Sequence, residues 1–294
     1  MTQPHLPIVD HHGVSTRYVT LGGPLDTRHA EQVHEVLRAC KRPIVGFTSY
    51  KLFPIATPEM ADRYLMECAG WCHCFRDATA FEPAPTIELS HSDLTDVDYV
   101  SPRTFGNPSA SWDYAYVCLP GREVERAKEW TLARACIRAL SAAGFTGLLI
   151  GRAPIRDLPP AANVSVRARL RWAEFLRVLA ACRCLLVASV LDASPRIIAE
   201  ALALDRPVVV NRDIIGGWKY VTDATGAFFS SEHDIVDALA GVLDHATFAR
   251  EWYCEFFGLR RAGSRLKDFL NTLGGDIRAP YVTLGHVPTI DQSM

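Results

Sequence analysis

Residues 189–221 read SVLDASPRIIAEALALDRPVVVNRDIIGGWKYV, and this stretch decides the fold. It opens at the end of an apolar run, residues 184–189 (CLLVAS). It then passes through a short loop into a helical segment, residues 195–204, and re-emerges as a second apolar run, residues 207–211 (PVVVN). Neither run alternates apolar with polar residues, so each reads as a strand buried on both faces. Strands of that kind joined through a helix predict a parallel sheet with helices on both sides.

The same grammar extends in both directions. Residues 112–118 and 147–151 are further apolar strands, and residues 227–229 add another. Between them residues 123–142 carry Ala127, Trp130, Leu132, Ala135 and Leu140 at helical spacing, and residues 169–182 carry Trp172, Phe175, Leu176 and Leu179. Residues 234–243 and 252–270 read as closing helices. Upstream, residues 42–50 (RPIVGFTSY), 71–75 and 86–90 are strand candidates, and Thr57-Pro58-Glu59 opens a helix with proline in the first turn. Residues 103–111 (RTFGNPSAS) have the composition of a linker. Residues 1–16, with His5, His11 and His12 among prolines and polar residues, read as a flexible arm.

Two acids stand out because of where this pattern puts them. Asp192 falls in the loop after a strand, and Glu200 falls inside the next helix, eight positions on. Both then face the crevice outside the carboxyl ends of the strands, where open α/β sheets bind ligands. Backbone N–H groups around Ser194 suit a phosphate at a helix N-terminus. Arg196 adds a charge-assisted donor on the same turn. A carboxylate such as Glu200 can accept hydrogen bonds from both hydroxyls of a ribose. Gly216-Gly217 would let backbone come close to a ligand.

Taken in order, Asp192, Glu200-Ala201-Leu202-Ala203, Pro207-Val208-Val209-Val210 and Gly216-Gly217 resemble the acid-x7-acid region of retaining GT-B glycosyltransferases of the family 4 type. The resemblance covers roughly residues 112–230. It implies that Glu200 holds the nucleotide ribose and that Asp192 contacts the donor sugar, with aspartate standing where that family usually has glutamate. It also implies basic residues on the donor pyrophosphate, for which Arg122, Lys128 and Arg152 are the candidates. Family architecture places an acceptor-binding domain across a cleft from the donor. Ser49, Tyr50 and Lys51 at one strand end are the candidate acceptor residues of that cleft. His73 at another strand end and Asp93 after a third are, with Asp192, the candidate catalytic residues, His73 and Asp93 each against the plainer reading of core histidine or polar loop.

Composition limits the alternatives. The 294 residues are 49% hydrophobic and 22% charged, with a net charge of −2, so no strong field draws the chain to nucleic acid. The first residues lack a signal-peptide pattern, and the longest apolar runs fall far short of the ~20 residues needed to span a bilayer. Nine cysteines without scaffold spacing point to a reduced, cytoplasmic protein, with peripheral membrane contact left open. Asp96-Val97-Asp98 matches the metal-binding triplet of the other glycosyltransferase fold but follows polar residues, and reads as surface. Cys68, Cys72, His73 and Cys74 are spaced poorly for zinc and read as buried thiols. Nucleophile-elbow, P-loop and dinucleotide fingerprints are missing.

The expectation is therefore an α/β protein with two Rossmann-like domains and a cleft between them, a GT-B arrangement with a compact N-terminal domain. Residues 17–108 form the acceptor domain, residues 109–250 the nucleotide-sugar domain, and residues 251–294 the helices packing back on the first. The expected function is transfer of a sugar from a nucleoside diphosphate sugar to a hydroxyl of a glycan or other acceptor, retaining and independent of metal or other cofactor, in glycan or polysaccharide synthesis. The alternatives are a non-catalytic sugar-nucleotide-binding module and an epimerase or hydrolase on the same fold.

Overall fold

The computed structural model describes residues 5–48, 50–119, 121–151, 163–245 and 247–285. The chain divides into two compact units, one formed by the residues up to Leu94 together with those from Phe256, the other by Thr95–Glu255.

The first unit holds β1 (His5–Asp10), β2 (Ser15–Leu21), α1 (Ala30–Ala39), β3 (Ile44–Phe47), α2 (Pro58–Tyr64), β4 (Gly70–His73) and β5 (Thr86–Glu88). Strands β2 to β5 are parallel neighbours, and β1 runs antiparallel to β2. Residues 5–10 were expected in a loose arm and instead form a strand. Their hydrogen bonds to β2 satisfy the backbone, and Ile8 is fully buried.

The second unit begins with α3 (Pro102–Phe105), inside the stretch expected as a linker. The Ser101 hydroxyl accepts the Thr104 N–H at its start, an N-cap. Tyr99 stacks on Trp172, which ties this segment to the second sheet rather than to the first. There follow β6 (Trp112–Val117), α4 (Arg122–Ala127), α5 (Trp130–Ala142), β7 (Gly147–Ile150), β8 (Val164–Arg167), α6 (Trp172–Ala180), β9 (Cys182–Val187), α7 (Arg196–Ala203), β10 (Val208–Asn211), β11 (Gly226–Phe229) and α8 (Ile235–Asp244). All six strands are parallel, in the order β11-β10-β9-β6-β7-β8. The first strand thus sits in the middle, and the winding reverses between β6 and β9. Trp130, Ile137 and Leu140 of α5 pack with Ile235 and Leu239 of α8 against Tyr114, Leu149, Leu186 and Val209 of the sheet.

Two long predicted helices are each broken in two. Residues 123–142 divide at Lys128-Glu129, where Glu129 takes a left-handed φ of 47°. The closing helix divides into α9 (Ala249–Phe256) and α10 (Leu259–Thr272) at Gly258, whose φ of 89° suits glycine. Helix α10 buries Ala262, Leu266 and Leu270 against Ile8, Val45, Phe47 and Cys72 of the first sheet. The last strand, β12 (Val282–Leu284), then pairs antiparallel with β1. The Tyr18 hydroxyl is shared between the carbonyl oxygens of Leu270 (2.9 Å) and Leu273 (3.0 Å) at the C-terminus of α10, where Leu270 also accepts the Gly275 N–H.

Because α10 supplies Ala262, Leu266, Phe269 and Leu270 to that core, and Leu266 is fully buried, Leu266→Ala is expected to cost the protein about 2–5 kcal/mol. Chemical denaturation followed by circular dichroism measures it; a loss near zero would show that α10 contributes little to the first unit.

Candidate functional site

The carboxyl ends of β6, β7 and β9 converge where the winding of the second sheet reverses, the place where open α/β sheets bind ligands. A cavity of about 320 Å³ lies there. Tyr116, Val117 and Leu119 line it from the end of β6, Ile150 from β7, and Leu186, Val187 and Ser189 from β9. Arg169, Leu170, Trp172 and Phe175 close it from the start of α6. Asp192, Ser194, Arg196, Ile197 and Glu200 come from the loop and first turns of α7, and Lys128 comes from the α4–α5 break. Four predicted acids and bases, Asp192, Glu200, Arg196 and Lys128, together with Ser194, are therefore brought to one cavity.

Glu200 is only 5% exposed. Its Oε1 accepts the indole N–H of Trp172 at 2.8 Å, while Oε2 takes no hydrogen bond among the described residues. Burial pushes the Glu200 carboxyl above the ordinary carboxylate range, and the Trp172 hydrogen bond and the Arg196 charge pull in the opposite direction. A largely dehydrated acid with an oxygen to spare is suited to accept from ligand hydroxyls.

Asp192 accepts a hydrogen bond from Lys128 Nζ at 2.5 Å, with the two side chains 20% and 28% exposed. Lys128 can reach across because the helix stops before it and resumes at Trp130, so its position depends on the left-handed turn at Glu129. The Tyr116 hydroxyl fastens this turn by donating to the Lys128 carbonyl at 3.0 Å. Arg122 opens α4, but its side chain is outside the described residues, as are Ser49 and Arg152 altogether.

Gly216 and Gly217, expected to let backbone approach a ligand, are not among the residues that line the cavity. They approach the Asp192 loop instead. The Gly216 N–H donates to the Asp192 carbonyl at 3.0 Å. A Cβ on Gly216 would stand 1.9 Å from the Ala193 carbonyl oxygen, and Gly217 has a φ of 80°. The pair seats the loop that presents the acid.

The candidates from the first unit do not belong to this cavity. Tyr50 is exposed, Lys51 follows it with a left-handed φ of 45°, and the ammonium lies 5.3 Å from the Tyr50 ring centroid. His73 ends β4, buried and stacked on Phe81 with centroids 5.6 Å apart. Asp93 is fully buried, its carboxylate accepting the Ser90 N–H at 2.8 Å. Both sit as parts of the first unit's interior. The Asp96 carboxylate accepts the N–H groups of Asp98 and Tyr99, a local turn. Among the described residues no group of three His, Cys, Asp or Glu side chains could hold a metal. All nine cysteines are free. Burial pushes the Cys136 and Cys182 thiols up to about 12, far from nucleophilic use.

Sequence reasoning missed Tyr116, Leu119, Arg169, Trp172 and Phe175 as site residues. Trp172 and Phe175 read as the inner face of an amphipathic helix, which they are, but the first turn of that face overhangs the cavity. The signal was available in the indole, since a buried Trp N–H needs an acceptor.

No family model matches the chain, and no curated protein matches it in sequence. Solved structures do match. HepE from Anabaena, in complex with UDP and glucose, is 13% identical over 85% of this chain and 84% of its own, with a TM-score of 0.59. The lipopolysaccharide outer core galactosyltransferase WaaB is 12% identical over 83% of this chain and 72% of its own, with a TM-score of 0.62. The pneumococcal O-GlcNAc transferase GtfA, in complex with UDP and GlcNAc, is 12% identical over 84% of this chain, which spans 55% of it, with a TM-score of 0.57. At such identities the likeness concerns the fold, and it agrees with an all-parallel second sheet and a first sheet parallel over β2–β5: the chain has the GT-B fold, built from two Rossmann-like halves.

Proposed function

We propose that the protein is a glycosyltransferase that moves a hexose from a nucleoside diphosphate sugar to an acceptor hydroxyl. The observation that carries this reading is the meeting of Glu200, Asp192, Lys128 and Arg196 in one cavity at the switch point of the second sheet. The UDP held by HepE and GtfA on the same fold supports a uridine nucleotide as donor.

In this reading Glu200 accepts from the ribose hydroxyls, and the apolar walls around Ile150, Leu170 and Phe175 receive the base. Lys128, Arg196 and the N–H groups opening α7 face the diphosphate. Transfer breaks the bond between the anomeric carbon and the diphosphate oxygen. The diphosphate leaves with the electron pair, the acceptor oxygen bonds the same carbon, and the acceptor's hydroxyl proton passes to the departing diphosphate oxygen. Two cations and a helix N-terminus stabilise the departing charge, a task that can be done without a metal. Retention of configuration, an acceptor in glycan or polysaccharide synthesis and a cytoplasmic setting complete the proposal. Free thiols at all nine cysteines fit a reducing compartment. For the acceptor we assign the exposed Tyr50 and the half-buried Lys51 of the first unit, and we give the buried His73 and Asp93 no chemical step.

Burying an ionisable carboxyl for a ligand carries a stability consequence. Since the folded protein holds the Glu200 proton more tightly than the unfolded chain, its contribution is present in full below the unfolded value of about 4.3 and is lost as pH rises through the higher folded value. Glu200→Gln removes that decline, so its Tm relative to the wild type is expected to rise with pH, while calorimetry should show UDP binding lost. A Tm difference that is flat with pH, or unchanged UDP affinity, overturns the assignment of Glu200.

Asp192→Asn separates transfer from binding. UDP affinity is expected to stay within about threefold, while sugar transfer from UDP-, GDP- or TDP-sugars falls by roughly 100-fold or more. Binding by the wild type with no transfer and no sugar release would instead mark a binding module, and sugar release without acceptor a hydrolase.

A further inference from the structure

A carboxyl holds ribose hydroxyls most strongly when it is ionised and correctly turned, and one indole bears on both conditions for Glu200. Trp172, the first residue of α6, lines the cavity and donates its N–H to Glu200 Oε1 at 2.8 Å. The Trp172 ring is itself fixed, stacked on Tyr99 with centroids 5.4 Å apart and planes 21° from parallel. Tyr99 in turn meets Phe105 edge-on at 5.4 Å. Three aromatic rings from the segment before β6 and from α6 thus lead to a single donor aimed at a buried acid.

We propose that Trp172 is a positioning residue that orients Glu200 and keeps its Oε2 turned to the nucleotide, a role that rests on Glu200 being the ribose ligand. With Oε1 held by the indole, the carboxylate cannot rotate freely, which leaves Oε2 as the oxygen for a ligand in the cavity that Glu200 lines. A hydrogen bond donated to a carboxylate also favours its charged form. Other charged groups face the same cavity: Arg196 on the helix of Glu200, Lys128 from the α4–α5 break, Arg169 ahead of α6, and Asp192 in the loop. All of them persist when Trp172 is changed, so a difference between variants reports the indole.

The test is calorimetry of UDP-glucose binding between pH 5 and 8. Trp172→Phe keeps a ring on Tyr99 but has no N–H to donate. It is expected to weaken binding about tenfold at pH 7, the value of one hydrogen bond to a charged group. Its pH dependence is expected to move upward, so that affinity recovers toward alkaline pH. Trp172→His, which restores a ring N–H, should regain part of the loss. A uniform loss at every pH, or a profile identical to the wild type, overturns the proposal. Glu200→Gln supplies the separate check: if it binds like the wild type, the ribose reading fails, whereas if it loses binding while Trp172→Phe behaves as wild type, the positioning role alone fails. The wild-type protein gives a readout that needs no Trp172 variant. Of six indole N–H resonances, one for each tryptophan, one should titrate with pH and cease to do so in Glu200→Gln. If none does, the proposal falls.

Discussion

The interaction on which the site depends is the burial of the Glu200 carboxyl in the second turn of α7, under the indole of Trp172. Placing a carboxylate there is unfavourable for the free protein, since burial acts against its charge more strongly than the indole and Arg196 act for it. The surrounding helix gives it no way out. Ile198, Ala199, Ala201, Leu202 and Ala203 are all fully buried, so α7 is held in the core on either side of the acid. A position that packing alone would fill with alanine or leucine carries an acid, and an unfavourable term inside a close-packed helix points to a ligand-binding role.

The neighbouring elements are built to face that acid. The reversal between β6 and β9 opens the crevice, and a left-handed residue between α4 and α5 turns Lys128 into it. The glycine pair at 216–217 lets the chain pass so close to the Asp192 loop that any side chain at Gly216 would collide with backbone. Each device sets a group of opposite character beside another: lysine beside aspartate, indole donor beside glutamate. Asp192 and Glu200 thus each have a local partner, a lysine and an indole N–H, which limits what an empty site costs.

How much of this could be read from the sequence follows from the range of each interaction. The strands of the second unit and the acids at 192 and 200 were legible because they belong to one continuous strand–loop–helix unit, where spacing fixes geometry. Lys128 was legible as a candidate, but its contact with Asp192 depends on a break in a helix that periodicity alone makes continuous; Glu129 carries no glycine or proline to announce it. Strand β1 hid among prolines and histidines, and one of its two neighbours, β12, lies at the far end of the chain. Trp172 was legible as apolar and not as polar, because helical periodicity says nothing of where an N–H points. His73 and Asp93 were plausible at strand ends, yet burial against Phe81 and beneath Ser90 gives each a structural task.

The aspartate at 192 was the feature that set this chain apart from the family it resembles, and the geometry gives it a physical setting. A side chain one methylene shorter than glutamate reaches less far, but the loop that carries it is drawn in at both ends, by the Ile215 N–H on the Val190 carbonyl and the Gly216 N–H on that of Asp192. Lys128 meets the shortened acid at 2.5 Å. The shorter carboxylate therefore still lies within the cavity and within reach of a cation that a diphosphate would also attract. A charged ligand entering there must compete with Asp192 for Lys128, and winning that competition would release the carboxylate to the part of the ligand beside it. The short acid and the nearby lysine thus act as one unit, and the departure at 192 has to be judged together with Lys128.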